Sequence, residues 1–445
     1  MELARDAPGH AIMDYETLSS LEPIMRGLQQ SKLARDDLRW AKFEKYISAS
    51  WFTRLWVVQE VQVADTVQIL FGHTAEPLLC VLAVIQCQMT WAAAVLDAHE
   101  APQLRRVYPR ARFILEPRWD HRSSLAQLLV SANSLESTDS RDRVYALLGI
   151  GDSYSRGTRT FSVNGAPFDV DYTKSTRDVY IDWAIAAMGA HGDLELLSFI
   201  GSEERESQLS HFDREGFPSW VPDWTRRLTG GMGMTYDVWS ESYGSDQDAS
   251  VNEDKTTLIL KGTVIGQIHS VVSLFDASGG LCKKTVRELF DQYDSISCEE
   301  IKCDKLLALT CSLTCGLTWS RACAHDAPEW MLNGLTALLR DEASMDGCLE
   351  PGGDAREYRR TIIDDMRANV VLQTENGQMG SCTSHAEVGD ILVIALGSRL
   401  PLILRTWRDG HYRLVGPAYV HGWMQGEVRT QLQQNQPLLG NFRLV

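Results

Sequence analysis

The stretch that decides the fold reads Trp51-Phe-Thr-Arg-Leu-Trp-Val-Val-Gln-Glu60. Read as one helix, it places Phe52, Trp56 and Glu60 one turn apart on a single face. A carboxylate held against two aromatic rings is poorly solvated, and this suits general acid–base work or contact with a polar ligand group. The structural alternative is that Glu60 pairs with Arg54 or caps a backbone group.

A second block, Asp139-Ser-Arg-Asp-Arg-Val-Tyr-Ala-Leu-Leu-Gly149, contains an arginine with two possible roles. A buried Arg141 can bind two carboxylates or carbonyls in fork geometry. The alternative is a helix N-terminus, in which Asp139 is the cap and Arg141 and Asp142 occupy the first turn. On physical grounds alone the helix N-terminus is the stronger interpretation.

A third block, Pro218-Ser-Trp-Val-Pro-Asp-Trp224, packs two tryptophans and two prolines into one short segment. Proline stiffens the backbone, and the indole rings fill a hydrophobic crevice. A platform for a ligand and a plug in the core fit this pattern equally well.

Length and charge restrict the class of protein. The chain has 445 residues, which suggests two or three domains, and a formal net charge of −16. That acidity argues against nucleic-acid binding as the main function, because phosphate contacts need clustered Lys and Arg. The chain also has 13 Trp, so we expect large buried faces or a roomy aromatic pocket.

Targeting and cofactor signals are not found in the sequence. The first residues have neither the basic start nor the apolar run of a signal peptide, and the apolar stretch 78–96 is interrupted by Gln86, Gln88 and Thr90. We therefore expect a cytoplasmic protein without stable membrane insertion. The cysteines at 298, 303, 311, 315 and 323 lack the paired spacing of a zinc site, and no phosphate or dinucleotide loop is present. Hence we expect no metal and no cofactor.

The periodicities predict a mixed α+β or α/β chain with domains at 1–225 and 226–445. The first domain is predicted to be mostly helical, with a small parallel sheet that includes a strand at Thr66–Phe71. In the second domain, helices between 285 and 340 are predicted to cover an antiparallel sheet or small barrel of short strands from Val370 onward. Turns such as Asn376-Gly377 and Asp409-Gly410 join these strands.

Together these blocks resemble the fungal heterokaryon incompatibility (HET) family. The similarity continues through Asp171-Tyr-Thr-Lys-Ser175 and, near the C-terminus, through Pro401-Leu-Ile-Leu-Arg405 and Tyr419-Val-His-Gly-Trp-Met-Gln-Gly-Glu427. Four ordered blocks and this C-terminal stretch, together spread over most of the chain, make the match specific. The family's usual Leu-Ser-Tyr-x-Trp-Gly and Trp-Leu-Gly blocks are not found. We therefore expect a partial HET domain, either from a truncated gene model or from a lineage that lost that half.

The resemblance implies a fungal protein whose N-terminal domain is related to Toll/interleukin receptor (TIR) domains. Many relatives take part in non-self recognition and programmed cell death. Some TIR domains hydrolyse NAD through a glutamate four residues after a tryptophan, and this role would fall on Glu60, which follows Trp56 at that spacing. Because the first half of the fold is not found, we expect no useful NAD hydrolysis by this chain alone.

Two functions follow from the sequence. The first is a cofactor-independent enzyme of secondary metabolism that acts on an apolar small molecule by a cyclisation, a pericyclic (Diels–Alder-type) step or an isomerisation. The second is an incompatibility or cell-death protein that acts by self-association, as a homo-oligomer, or by NAD cleavage. For the first function the candidate catalytic residues are Glu60, Arg54, Arg141 and His421. The candidate substrate-binding residues, lining an apolar pocket, are Trp56, Trp220, Trp224, Asp223 and Arg405.

Overall fold

The computed structural model describes residues 38–64, 66–78, 80–82, 84–85, 110–111, 113–115, 125–148, 150, 154–155, 160–163, 166–189, 194–201, 216–226, 249–276, 279–294, 299–318, 323–324, 327–340, 355–424 and 439–445. The chain divides into two compact units, 1–186 and 187–445. Within the described residues, no helix is both long enough and apolar enough to cross a membrane.

Within the described ranges, the first unit combines short helices with two small sheets. Its described elements are α1 (Leu38–Ile47), a 3₁₀ turn (Ser50–Thr53), α2 (Trp56–Gln62), β1 (Gln68–Phe71), β2 (Thr74–Pro77), α3 (Leu125–Ala132), α4 (Asp142–Tyr145), β3 (Tyr154–Ser155), β4 (Thr160–Val163), β5 (Ala166–Phe168) and α5 (Thr176–Met188).

The predicted parallel sheet of the first unit is wrong in the described residues. The strand β1 turns back at Gly72 and pairs antiparallel with β2, so that Phe71 lies opposite Thr74. Gly72 has a φ of 57° and occupies the first central position of this two-residue turn, where glycine is favoured in a hairpin. The strands β3, β4 and β5 likewise form an antiparallel meander. These two sheets give no support to a TIR-like sheet, which stays a prediction for the rest of the unit.

Helix α5 shows how a local sequence signal decides an element. Ser175 precedes the helix, and its hydroxyl oxygen accepts a hydrogen bond from the Asp178 backbone N–H at 3.2 Å. The Ser175 hydroxyl also donates to the Asp178 carboxylate at 2.7 Å, as expected of a capping arrangement. Val179 and Trp183 are both fully buried, and they anchor the helix in the core one turn apart. The sequence pattern of residues 175–190, with Ser175 as the cap, predicts this helix, and the structure confirms it to within two residues at its end.

In the residues that the structure describes, the second unit contains four helices and most of the strands. Its described elements are a 3₁₀ turn (Glu195–Phe199), β6 (Ala249–Val251), β7 (Leu258–Val272), α6 (Lys283–Asp294), α7 (Glu299–Ser312), α8 (Pro328–Arg340), α9 (Ala355–Met366), β8 (Asn369–Thr374), β9 (Met379–Thr383), β10 (Ile391–Ala395), β11 (Leu402–Thr406), β12 (His411–Val420) and β13 (Gly440–Leu444).

The strands of this unit close into a barrel. Antiparallel pairing runs from β7 through β8, β9, β12, β11 and β10 and returns from β10 to β7. The long strands β7 and β12 each pair along two stretches, and β13 lies between their first halves. Closure satisfies the backbone groups that an open sheet edge would expose. The predicted antiparallel region after Val370 is confirmed, but β7 begins more than a hundred residues earlier.

The predicted helical cover of the barrel is also present. One buried cluster joins α7, α8 and α9 to the strands, with members that include Leu309, Leu335, Tyr358, Ile394 and Tyr419. Helices α8 and α9 approach closely at Gly334, where a Cβ atom would lie 2.8 Å from the Tyr358 ring. Such close packing of apolar side chains supplies the main stabilisation of this unit.

The unit boundary lies before the predicted domain boundary at 225/226. The Pro218–Trp224 block is part of the second unit, where the Ser219 N–H donates to the Val445 carbonyl at 3.0 Å. The Ser219 hydroxyl accepts from the Leu414 N–H at 2.9 Å. The predicted boundary at 225/226 places this block in the first domain. Its hydrogen bonds to Leu414 and Val445 place it in the second unit instead.

Gly380 is expected to be essential for barrel closure. A Cβ atom at this position in β9 would lie 2.1 Å from the Tyr419 carbonyl oxygen of β12. The Gly380→Ala substitution should therefore lower the free energy of unfolding by about 2 kcal/mol or more. Gly440→Ala in β13 is the matched control, because its Cβ would come no closer than 3.9 Å to the Phe442 ring. Urea denaturation measures the free energy of unfolding of both variants. Equal losses in Gly380→Ala and Gly440→Ala would contradict a special role of Gly380 in barrel closure.

Candidate functional site

The block at 51–60 does not form one helix. A 3₁₀ turn ends at Thr53, Arg54 adopts an extended backbone with ψ of 130°, and α2 starts only at Trp56. The extended stretch forms a bridge to Glu136, whose carbonyl accepts from the Leu55 N–H at 2.9 Å. The single-helix prediction is therefore wrong, because backbone pairing with Glu136 interrupts the helix.

The two charged candidates of this block lie at the surface. Glu60 and Arg54 are both exposed. Phe52 is buried on the 3₁₀ turn, so the two-ring environment predicted for the Glu60 carboxylate from helical spacing is not formed. A catalytic role for either residue stays a prediction.

Three of the sequence blocks meet at the carboxylate of Asp142. The Trp56 indole N–H donates to Asp142 Oδ2 at 3.0 Å, and the Tyr172 hydroxyl donates to Asp142 Oδ1 at 2.7 Å. Asp142 sits in the first turn of α4, Trp56 starts α2, and Tyr172 lies in the loop before α5. One carboxylate thus connects three segments that are far apart in sequence.

Arg141 clamps the same loop. Its guanidinium donates to both carboxylate oxygens of Asp139, at 2.9 Å from Nε and 2.6 Å from Nη2. Nη1 donates to the carbonyls of Tyr172 and, at 3.0 Å, Lys174. The guanidinium also lies over the Tyr172 ring, 5.1 Å from its centroid. Of the two interpretations of Arg141, the fork geometry is observed, with one carboxylate and two carbonyls as its acceptors. The helix start that was the stronger interpretation is observed as well, since α4 begins at Asp142.

We call Trp56, Asp139, Arg141, Asp142 and Tyr172 the Asp142 cluster. Hydrogen bonding from Arg141 lowers the pKa of Asp139. Partial burial, followed by the bond to Asp142, raises the pKa of the Tyr172 hydroxyl. Both shifts favour the protonation states that the hydrogen bonds require near neutral pH.

The loop that carries Tyr172 is fixed at both ends. The Tyr145 hydroxyl donates to the Asp171 carbonyl at 3.0 Å, and Asp171 Oδ1 accepts from the Thr173 N–H at 2.8 Å. Lys174 forms an ion pair of 2.8 Å with Asp182 on α5. Tyr172 nevertheless remains 48% exposed. The cluster therefore holds an aromatic side chain at the surface in a defined position, an arrangement suited to recognition of another molecule.

Sequence reasoning did not single out Asp142 or Tyr172 as site residues. Both occur in the quoted blocks, but the sequence pattern places Asp142 only in the first turn of a helix. The signal that could have found it is chemical: a carboxylate is the natural acceptor for an indole N–H that is not fully exposed.

The Pro218–Trp224 block lies in the core of the second unit. Trp220 and Trp224 are exposed by only 0% and 1%, and the Trp220 indole N–H donates to the Thr256 carbonyl at 3.4 Å. Asp223 accepts from the Thr225 N–H at 3.0 Å and from Arg226 Nε at 3.1 Å. This placement agrees with the core alternative, and substrate contacts for these residues stay a prediction.

Arg405 serves as a second clamp, within the barrel. Nε and Nη2 donate to the two carboxylate oxygens of Asp390 at 2.9 Å each, and Nη1 donates to Glu387 at 3.1 Å. Nη2 of Arg405 also donates to the His385 carbonyl at 2.8 Å. These bonds tie β11 to the turn before β10, and the acidic partners raise the pKa of Arg405.

His421 follows β12 and is partly buried. Its Nδ1 lies 3.1 Å from the hydroxyl of Tyr419, whose pKa is raised by burial. The described contacts thus bring Trp56 and Arg141 into one cluster in the first unit. They place Arg405 and His421 at separate positions of the barrel. No group of three His, Cys, Asp or Glu among the residues the structure describes is arranged to hold a metal ion.

Comparison with known proteins identifies the barrel. Residues 343–439 match the model of the Het-6 β-barrel domain family. This segment of the chain is similar to a Het-6 β-barrel domain. This match includes α9 and the strands β8 to β12, whereas β7, the sixth strand of the closed barrel, lies upstream of it.

Most of the chain is similar to heterokaryon incompatibility protein 6, OR allele, of Neurospora crassa. The two are 22% identical over an alignment that covers 87% of this chain. The chain spans 65% of the length of this curated relative. No solved structure matches the chain. The Het-6 domain and this relative confirm the resemblance to the HET family.

The Asp142 carboxylate is predicted to stabilise the first unit. Asp142→Asn keeps the size of the side chain but leaves one of its two donors facing an amide group, so the free energy of unfolding should fall by about 1 kcal/mol or more. Asp169→Asn, at an exposed position of the same unit, is the matched control. Chemical denaturation followed by circular dichroism measures the free energy of unfolding. If Asp142→Asn and Asp169→Asn both unfold with the free energy of the parent protein, the stabilising role of Asp142 is refuted.

Acid should weaken the Arg141 clamp. Hydrogen bonding to Arg141 lowers the pKa of Asp139 from 3.8. The contribution of the ionised Asp139 to the free energy of unfolding is therefore complete above pH 3.8, and it is lost as the pH falls through the lower pKa of the folded state. Asp139→Asn should therefore show a flatter loss of stability below about pH 4 than the parent protein. Thermal melting across pH 2 to 7 measures this, with Asp169→Asn expected to follow the parent curve. Parallel curves for the parent and Asp139→Asn would contradict the prediction.

Proposed function

We propose that the protein takes part in heterokaryon incompatibility, as a fungal non-self recognition protein whose action can lead to cell death. The observation that carries this proposal is the Het-6 β-barrel domain at 343–439, joined to a similarity with an incompatibility protein over 87% of the chain. Because the chain spans 65% of that relative, its own activity and partners belong to the proposal.

The Asp142 cluster supports recognition better than chemistry. Both carboxylate oxygens of Asp142 accept hydrogen bonds, and the Arg141 guanidinium is occupied by Asp139 and two backbone carbonyls. A group engaged in this way positions a loop and is poorly placed to polarise a substrate. The partly exposed Tyr172 then becomes the side chain through which the cluster would contact a partner.

The cofactor-independent enzyme of secondary metabolism has weaker support. The family match and the relative both favour the incompatibility function, and neither points to a cyclase. Two residues on which that hypothesis depends, Arg141 and Arg405, hold ion pairs within the fold. Enzymatic activity and action in the cytoplasm as a homo-oligomer stay predictions.

Expression in a fungus tests the proposal directly. The chain should be placed under an inducible promoter in Neurospora crassa strains that differ in incompatibility genotype. We expect growth arrest and uptake of a vital dye in at least one background, and we expect Asp142→Asn to weaken the effect while Asp169→Asn retains it. Normal growth in every background, with the protein accumulating at a level confirmed by immunoblot, would refute the proposal.

A second measurement separates recognition from NAD cleavage. Purified protein should release no nicotinamide from NAD above a blank reaction. Release that Glu60→Gln abolishes would instead assign NAD hydrolysis to this chain and return Glu60 to a catalytic role.

A further inference from the structure

The hairpin between β11 and β12 directs alternate side chains away from the core. Asp409 and Gly410 have positive φ values of 55° and 75°, as in a type I′ turn, and the Trp407 N–H donates to the His411 carbonyl at 2.8 Å. Leu404 lies opposite Leu414, and both are buried. Residues one position along each strand therefore lie on the opposite face.

That opposite face is basic. We call Trp407, Arg408, His411, Arg413 and Arg443 the arginine face. The parallel register of β12 and β13 places His411 beside Arg443, and Arg413 stacks on the Trp407 ring. Arg408, in the turn, lies 5.4 Å from the same ring centroid. Arg408 and Arg443 are both exposed. A cluster of cations of this kind contrasts with the net charge of −16 for the whole chain.

Trp407 orders this face. The Arg413 guanidinium lies 3.5 Å from the ring centroid, a distance at which a cation and an indole attract each other. A guanidinium stacked in this way is fixed in orientation relative to the ring. The stack therefore holds part of the basic surface in position before any ligand arrives.

The arginine face differs from the nearby clamp of Arg405. Arg405 lies opposite Arg413 in the β11–β12 register, but its charge is balanced by Asp390 and Glu387. Within the described part of the chain, no carboxylate lies at ion-pair distance from Arg408 or Arg443. The clamp therefore completes the fold, whereas these two guanidinium groups can take acceptors from another molecule.

We propose that the arginine face binds an acidic segment of a partner protein, with Arg408 and Arg443 donating to Asp or Glu carboxylates. Guanidinium forks match carboxylates in geometry. A nucleic acid is disfavoured, because the Arg413 guanidinium already lies on the face of the Trp407 ring, where a base would otherwise stack. This interaction surface is argued from the second unit alone and does not rest on the proposed incompatibility function.

Binding of an acidic peptide tests the proposal. A fluorescein-labelled peptide of about ten glutamates is titrated with the purified full chain at low salt, and fluorescence anisotropy is measured. We expect saturable binding that weakens as salt is added. The double variant Arg408→Gln/Arg443→Gln should bind about tenfold more weakly, since two ion pairs are removed.

The control variant removes the same charge elsewhere in the same unit. Arg340→Gln/Arg367→Gln changes two exposed arginines at the ends of α8 and α9 and should bind the peptide as the parent does. An equal loss in this control would overturn the proposal, because net charge alone would then explain binding. Tighter binding of single-stranded DNA or of vesicles containing phosphatidylserine, abolished by Arg408→Gln/Arg443→Gln, would also overturn it.

Discussion

The carboxylate of Asp142 is the interaction on which the described part of the first unit depends. It accepts one hydrogen bond from Trp56 and one from Tyr172, and its neighbour Arg141 holds the Tyr172 loop from the other side. Helices as short as α2 and α4 are not stable on their own. The hydrogen bonds between segments therefore supply the order that the individual helices lack.

The second unit is organised by backbone closure. β7 and β12 are long enough to change partners along their length, and the barrel closes where β10 meets β7. Glycine is required where strands approach most closely, as at Gly262, where a Cβ would lie 2.4 Å from the Ile394 carbonyl oxygen. The ion pair between Arg405 and Asp390 then fixes the neighbouring turn. Polar contacts here complete a shape that apolar packing and strand pairing have already determined.

Sequence reasoning predicted the features that are encoded locally. Alternating strands after Val370, the Asp409-Gly410 turn and the Ser175 cap each depend on a few adjacent residues, and all three are observed. Features that depend on distant partners were missed. The break at Arg54 requires pairing with Glu136, and the cluster at Asp142 requires a loop thirty residues away in sequence. Periodicity carries no information about such contacts.

The upstream position of β7 has a consequence for how this fold can be inherited. The segment that matches the Het-6 β-barrel family begins at 343, after β7 has ended and several helices have intervened. A piece of chain cut at the family boundaries would leave β8 and β10 without their shared neighbour, and unpaired edges promote aggregation. The matched segment alone therefore cannot form the closed barrel after recombination into another gene. Exchange between genes would have to carry the preceding helices along with it, so that barrel and helical cover are inherited as one piece.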